Sequence, residues 1–247
     1  MSRLFAAELL KLTTLRFTWG FWLLGLLFAG LVTAGNIGGT ESGDRLEPEF
    51  QFRILLDGAL PASILALLMG IVLVTNEFRH GTIARSLLAT PRRTRFIAVK
   101  LLAGAAVGAA LMLGMLVVIV VTTVIWLGLL DVPLAFGEGL DGLGRALFVA
   151  TLAGIFGAAI GGAVHSQVAA LVGALVWMFV LEPICWVILG LLDLDGVAEY
   201  LPAASLGGTV DSTGEGLSWA RSVGVTIAWA GVATVLAVVR TSRRDIT

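Results

Sequence analysis

Few residues of this chain have side chains that could carry out acid–base or metal chemistry. They are two histidines, His80 and His165, one cysteine, Cys185, and carboxylates set in apolar sequence, above all Glu77 and Glu182. Glu77 and His80 are three residues apart, a spacing that occurs in the metal sites of helical bundles. A zinc cage would need further carboxylates from distant loops, so we expect no metal site. With a single cysteine, no disulfide can form within the chain.

Motifs for nucleotide binding and for hydrolysis are missing from the sequence. Neither Lys11 nor Lys100 follows a glycine, as the phosphate-binding Gly-Lys-Ser/Thr motif requires. The sequence also has no Gly-x-Ser-x-Gly turn and no His-Glu-x-x-His pair. We therefore expect the chain not to be an enzyme and to hold no cofactor of its own.

The residues that surround these side chains are strongly apolar. Hydrophobic residues make up 58% of the 247 positions and charged residues 13%, with 31 glycines and a net charge of −1. A soluble domain is about 45–50% apolar and about 25% charged. This composition excludes a soluble enzyme, a disordered chain and a nucleic-acid-binding protein with a basic face. It predicts an all-α integral membrane protein with several spans.

Six stretches are long and apolar enough to cross a membrane, which takes about 20 residues of helix. They cover about residues 17–35, 58–76, 96–130, 143–164, 168–192 and 219–239. The polar cluster His165-Ser166-Gln167 divides an uncharged stretch that is too long for one span. Within the third and fourth spans, Gly104 with Gly108 and Gly157 with Gly161 are pairs four residues apart. Such pairs allow close contact between helices, here within the chain.

The distribution of Lys and Arg predicts the orientation of these spans. Twelve of the 16 Lys and Arg residues lie in the N-terminal segment, between the second span and residue 100, and in the C-terminal tail. Because cytoplasmic loops carry the excess of basic residues, both termini should be cytoplasmic. We expect a multi-pass protein of the cell membrane whose single transmembrane domain covers residues 1–247.

Two segments on the predicted cytoplasmic side are expected to form further helices. Residues 3–16 are amphipathic, and Glu8 and Lys11 are spaced to form an ion pair. This helix would be either an anchor for the first span or an elbow against which other helices move. In the loop 77–95, Gly81 should end the second span and Pro91 should start the next helix. The short helix between them would lie against lipid phosphates or form a docking site for a partner.

The sequence resembles that of type-2 ABC exporter permeases, the membrane subunits that work with separate ATPase subunits. The loop "NEFRHGTIARSLLATPRRTRFIAVKLLAG" is similar to the coupling loop of that family, with Glu77, Arg79, Gly81, Thr82, Pro91, Arg93 and Lys100 at the matching positions. The start "AELLKLTTLRFTW" resembles the elbow helix. "FVLEPICWVILG" with "YLPAASLGG" resembles the end of span five and the outer re-entrant segment, and "VVRTSRRDI" the tail of actinobacterial members.

The resemblance implies a permease that exports a hydrophobic or amphipathic compound, such as a drug, antibiotic, peptide or lipid, by alternating access. It also implies a second permease copy or a related permease, and two cytoplasmic ATPases that hold ATP and Mg²⁺. The coupling segment would comprise Glu77, Arg79, His80, Gly81, Thr82, Ile83, Arg85, Leu87, Pro91, Arg92 and Arg93.

Glu182 and Pro183 are the candidates for the cargo path or its outer gate. An ionised carboxylate in hydrocarbon costs at least about 2.5 kcal/mol on insertion scales, so it usually faces protein or a wet cavity. Glu182 would cap the outer segment by accepting backbone N–H bonds, line or gate the path, or reach along the lipid to the interface. Two other functions stay open. One is an intramembrane enzyme that uses Glu77, His80, His165 or Glu182, and the other is an ion-coupled transporter that uses Glu182.

Overall fold

The computed structural model describes residues 5–8, 10, 16–40, 50, 51, 54, 59–82, 93–134, 139–208 and 217–243. In this part of the chain every element is helical, which confirms the all-α prediction. The helices are α1 (Arg16–Gly39), α2 (Ala59–Arg79), α3 (Arg93–Leu129), α4 (Gly139–Val164), α5 (Gln167–Val176), a π-helical segment (Trp177–Leu181), α6 (Glu182–Leu191), α7 (Asp195–Ala198), α8 (Pro202–Gly208) and α9 (Trp219–Arg243).

Within the described ranges, six helical stretches are long and apolar enough to cross a membrane, and each falls on one of the six predicted spans. The fifth is formed by α5, the π-helical segment and α6 together. The helices extend beyond several predicted ends. The predictions mark the uncharged stretch that crosses the hydrocarbon, whereas the hydrogen-bonded backbone of a helix continues past that stretch. Thus α1 continues to Gly39 and α9 to Arg243. Residues 77–79 and 93–95 of the predicted loop belong to α2 and α3.

Helices α2, α3 and α4 pack at the centre through small residues. A Cβ atom added at Gly157 of α4 would overlap the carbonyl oxygen of Leu67 in α2, and one at Gly108 of α3 would overlap the carbonyl oxygen of Ala150 in α4. Gly104 and Gly161 are in similarly close contact with neighbouring helices. The two glycine pairs therefore serve packing within the chain, as predicted.

Helix α2 ends at a glycine in the left-handed conformation. Gly81 has a φ of +63°, and the Thr82 N–H donates to the Glu77 carbonyl oxygen at 3.0 Å. This six-to-one bond closes the last turn, and glycine takes this φ without steric cost. The break expected at Gly81 is therefore present. Residues 83–92, where the short coupling helix and Pro91 fall, lie outside the described residues.

The peripheral helices expose large apolar side chains. Leu23, Leu27 and Leu31 on α1 and Val168 and Leu191 in the fifth span are each more than half exposed. A soluble protein rarely exposes apolar patches of this extent. Since these side chains lie on candidate spans, they are suited to contact lipid.

Candidate functional site

Lys100 is the centre of a buried cluster of charges near the start of α3. Its Nζ lies 2.5 Å from Glu8 Oε2 and 2.8 Å from Glu77 Oε1, and its side chain is 3% exposed. Nζ also lies 5.6 Å from the centroid of the Phe96 ring, one turn earlier on the same helix. Buried charges are tolerated when they are paired and hydrogen-bonded. The cluster therefore joins the N-terminal helical residues 5–8, the end of α2 and the start of α3.

Sequence reasoning did not identify this cluster. It paired Glu8 with Lys11, which lies outside the described residues, and it did not foresee that the Glu8 carboxylate binds Lys100. Lys100 was assigned only to the family-like loop pattern. The sequence does place a lysine one or two turns inside an apolar helix, and it places acids near two other helix ends on the same side. This pattern could have indicated a buried ion pair. It did not specify which acids would reach the lysine.

The end of α2 also contacts the connection between α4 and α5. The Arg79 Nη1 group donates to Gln167 Oε1 at 3.1 Å, and the rings of Phe78 and His165 lie 4.3 Å apart. Arg240 Nη1 of α9 donates to the Ala163 carbonyl oxygen at 2.8 Å. These contacts and the Lys100 cluster bring together the ends of α2, α4 and α9 and the starts of α3 and α5. We call this the basic end of the protein.

Six of the eleven predicted coupling residues lie in the part of the chain that the structure describes. Glu77 is buried in the Lys100 cluster, whereas Arg79, His80 and Gly81 are exposed and Thr82 is half-exposed at the end of α2. Arg93 begins α3. Ile83, Arg85, Leu87, Pro91 and Arg92 lie outside the described residues.

Glu182 lies on the fifth span and is 2% exposed. Its Oε2 accepts hydrogen bonds from Trp177 Nε1 at 2.6 Å and from the Ala203 N–H at 2.9 Å, and its Oε1 accepts one from the Ala204 N–H. Ala203 and Ala204 follow Pro202 in the first turn of α8, where backbone N–H groups have no acceptor within the helix. The residue before Pro202 is Leu201, whose side chain cannot accept a bond. The Glu182 carboxylate therefore takes the place of an N-cap side chain.

The π-helical segment explains how Trp177 and Glu182 meet. In an α-helix, residues five apart point about 140° away from each other around the axis. Here the Glu182 N–H donates to the Trp177 carbonyl oxygen, a bond that spans five residues and brings both side chains to one face. Pro183, which has no N–H, follows directly, at the start of α6. Pro183 itself is exposed.

An apolar pocket of about 280 Å³ lies beside this network. Its walls come from α2, α4, α5, the π-helical segment, α8 and α9, and they include Leu67, Phe156, Trp177, Ala203, Leu206 and Trp229. Trp177 and Ala203, which both donate hydrogen bonds to Glu182, belong to the lining, whereas Glu182 itself does not. Glu182 thus holds the wall of the pocket without facing into it.

No family model and no curated protein matches this chain.

The four titratable residues considered for intramembrane chemistry are not assembled into one site. Glu77 and His165 lie at the basic end, and the fifth span begins there with Gln167. Glu182 is 15 residues further along that span, about 22 Å at 1.5 Å per residue. Among the described residues, no three metal-binding side chains come together. This arrangement favours roles for these residues in holding helices together over roles in shared chemistry.

Proposed function

We propose that the chain is the membrane-spanning permease subunit of an ATP-driven ABC transporter. Separate cytoplasmic ATPase subunits dock on the loop 77–95, and the spans move a hydrophobic or amphipathic cargo outward. The sequence of the loop suggests this assignment through its resemblance to type-2 exporter permeases. One structural observation supports it, namely that Lys100 ties both helices that flank the loop to the N-terminal residues.

The Lys100 cluster is suited to transmit movement of the loop to the spans. Breaking a buried ion pair by removal of one partner costs about 3–5 kcal/mol. A displacement of the loop therefore moves the end of α2 and the start of α3 together. The N-terminal helix, held through Glu8, would move with them, as an elbow helix does.

The remaining parts of the complex follow from the same proposal. A second copy of the chain, or a related permease, completes the membrane part, and two ATPases bind ATP and Mg²⁺. Both termini and the basic end face the cytoplasm of the cell, because most of the Lys and Arg residues lie there. Glu182 acts as a positioning residue that fixes α8 to the fifth span on the outer side.

Docking of the ATPase can be tested by replacing the apolar residues of the loop. Ile83→Asp and Leu87→Asp each place a charge on the apolar face of the predicted coupling helix. Ser218→Asp is the matched control, because it adds the same charge at an exposed position before α9. We expect the tagged chain, purified in mild detergent from its native membranes, to bring down an ATPase with a Gly-Lys-Ser/Thr loop.

The loop variants should lose that ATPase, and the control should retain it. Equal recovery of the ATPase with all three variants would show that the loop is not the docking site. Absence of any such ATPase from the wild-type preparation would contradict the ABC assignment itself.

A further inference from the structure

The pocket beside Glu182 has the properties of a binding site for an uncharged hydrocarbon group. Its volume of about 280 Å³ is nearly twice the roughly 150 Å³ of an engineered apolar cavity that stays dry and binds benzene. By that comparison it holds a group of about a dozen carbon atoms. Few helix packing defects reach this size, because protein interiors are close-packed.

The polar groups in the lining are already used within the protein. Trp177 Nε1 donates to Glu182 at 2.6 Å, and Trp229 Nε1 donates to the Tyr200 carbonyl oxygen at 3.0 Å. The other side chains of the lining are apolar. A ligand that brings its own charge or hydrogen-bonding group into the pocket would lose hydration without gaining a partner. The lining therefore selects against polar and charged molecules.

The pocket opens at membrane depth. Gly173 and Trp229 belong to the lining, and both are exposed. Gly173 lies six residues after the start of the fifth span, about 9 Å along the helix at 1.5 Å per residue. At that depth the surrounding medium is hydrocarbon and not water. A ligand can thus enter sideways from the bilayer.

From these observations we infer that the pocket within each chain binds an uncharged hydrocarbon group of about a dozen carbon atoms, taken up from the bilayer. The group is either a small neutral hydrophobe dissolved in the membrane or the end of a lipid tail. This site lies inside one chain, and its existence does not depend on ATPase partners. Because α8 and the π-helical segment form part of the wall, a bound hydrocarbon group also packs against these two elements, which Glu182 joins.

Two glycine substitutions separate binding in the pocket from general effects on the protein. A Cβ atom at Gly173 meets nothing within 4 Å, and Gly173 belongs to the lining, so we expect leucine to be accepted there and to extend over the mouth of the pocket. Gly231 of α9 has the same open surroundings but is not part of the lining, and Gly231→Leu is the matched control. Both changes replace a helical glycine by a better helix former, so neither should destabilise the fold.

The first measurement uses 4-bromobiphenyl, a neutral hydrophobe with 12 carbons whose bromine quenches tryptophan fluorescence on contact. The wild-type chain in nanodiscs should show a saturable component of quenching, from Trp177 and Trp229, above the linear component that lipid-facing tryptophans give. Gly231→Leu should keep this component. In Gly173→Leu the apparent affinity should fall roughly tenfold, because the new side chain excludes about two methylene groups of ligand.

The second measurement identifies the source of the group. Nanodiscs made from phosphatidylcholine with brominated acyl chains should quench the wild type more than Gly173→Leu if a lipid tail occupies the pocket. Equal quenching in brominated lipid, together with saturable quenching by 4-bromobiphenyl, would assign the pocket to a free hydrophobe. If the wild type and both variants show only linear quenching by 4-bromobiphenyl and equal quenching in brominated lipid, the pocket binds no hydrocarbon and the inference is wrong. Neither measurement involves an ATPase, so this failure would leave the proposed transport function untouched.

Discussion

The Glu182 carboxylate should stabilise the protein through its negative charge, and Glu182→Gln removes that charge while keeping the shape of the side chain. The carboxylate accepts three hydrogen bonds, whereas the glutamine amide has one accepting oxygen and an NH₂ group that only donates. At least one of the three N–H donors that bond the carboxylate then faces the NH₂ group of the glutamine, which is itself a donor. The indole of Trp177 and the first turn of α8 are the groups at risk.

The size of the effect follows from the number of bonds weakened. A hydrogen bond to a charged group contributes about 1.5–3 kcal/mol, and a buried donor without a partner costs about 1–3 kcal/mol. Burying a neutral amide is less costly than burying an ion, which offsets part of this loss. We therefore expect the free energy of unfolding to fall by about 2 kcal/mol. For a chain of this length that corresponds to a decrease in Tm of about 4–8 °C.

Thermal unfolding of the purified protein in one detergent, followed by tryptophan fluorescence, measures this decrease. Glu199→Gln is the matched control, since Glu199 lies in the same connection between the fifth and sixth spans and is only half-buried. Its Tm should stay within about 2 °C of the wild-type value, as for most surface substitutions. If transport can be assayed, it should fall in proportion to the folded fraction.

Two results would refute this reasoning about Glu182. An unchanged Tm for Glu182→Gln would show that the charge does not hold α8. A normal Tm combined with altered transport would instead place the carboxylate in the cargo path.

The other predictions concern the packing of the helices and are tested by the same unfolding assay. Lys100→Met should cost about 3–5 kcal/mol because the buried carboxylates of Glu8 and Glu77 lose the Lys100 cation that lies between them. Adding Glu8→Gln and Glu77→Gln should restore much of this stability, and a single variant as stable as the triple one would contradict the role of the cluster. Gly157→Ala should destabilise by about 1–3 kcal/mol through overlap with α2. Gly128→Ala, with nothing within 4 Å, should be neutral or slightly stabilising, and equal effects at the two glycines would be inconsistent with the close approach.

The number and nature of the spans could be determined from the sequence. A backbone in hydrocarbon must satisfy all its polar groups internally, so an apolar stretch of sufficient length becomes a helix whatever surrounds it. The glycine pairs were predicted to allow close contacts because a missing Cβ matters in any packing arrangement. The ends of the helices were less predictable, since caps and interfacial residues extend a helix past its apolar part.

The partners of the buried charges could not be determined from the sequence. Lys100 binds Glu8 and Glu77, which are 92 and 23 positions away in the chain. Residue types and positions predict that acids and a lysine lie at the same end of the spans, but not which of them meet. That choice depends on how residues 5–8 pack against α2 and α3.

Glu182 shows most clearly the difference between what the sequence determines and what the tertiary structure determines. From the sequence, an acid before a proline in an apolar span could cap a segment, line a path or reach toward the interface. Its partner N–H groups lie 21 and 22 residues later, at the start of α8. A π-helical turn also had to rotate the carboxylate toward Trp177, and no local pattern specifies such a turn. Burial of an ion is favourable only where several donors converge, and that convergence is a property of the tertiary structure alone.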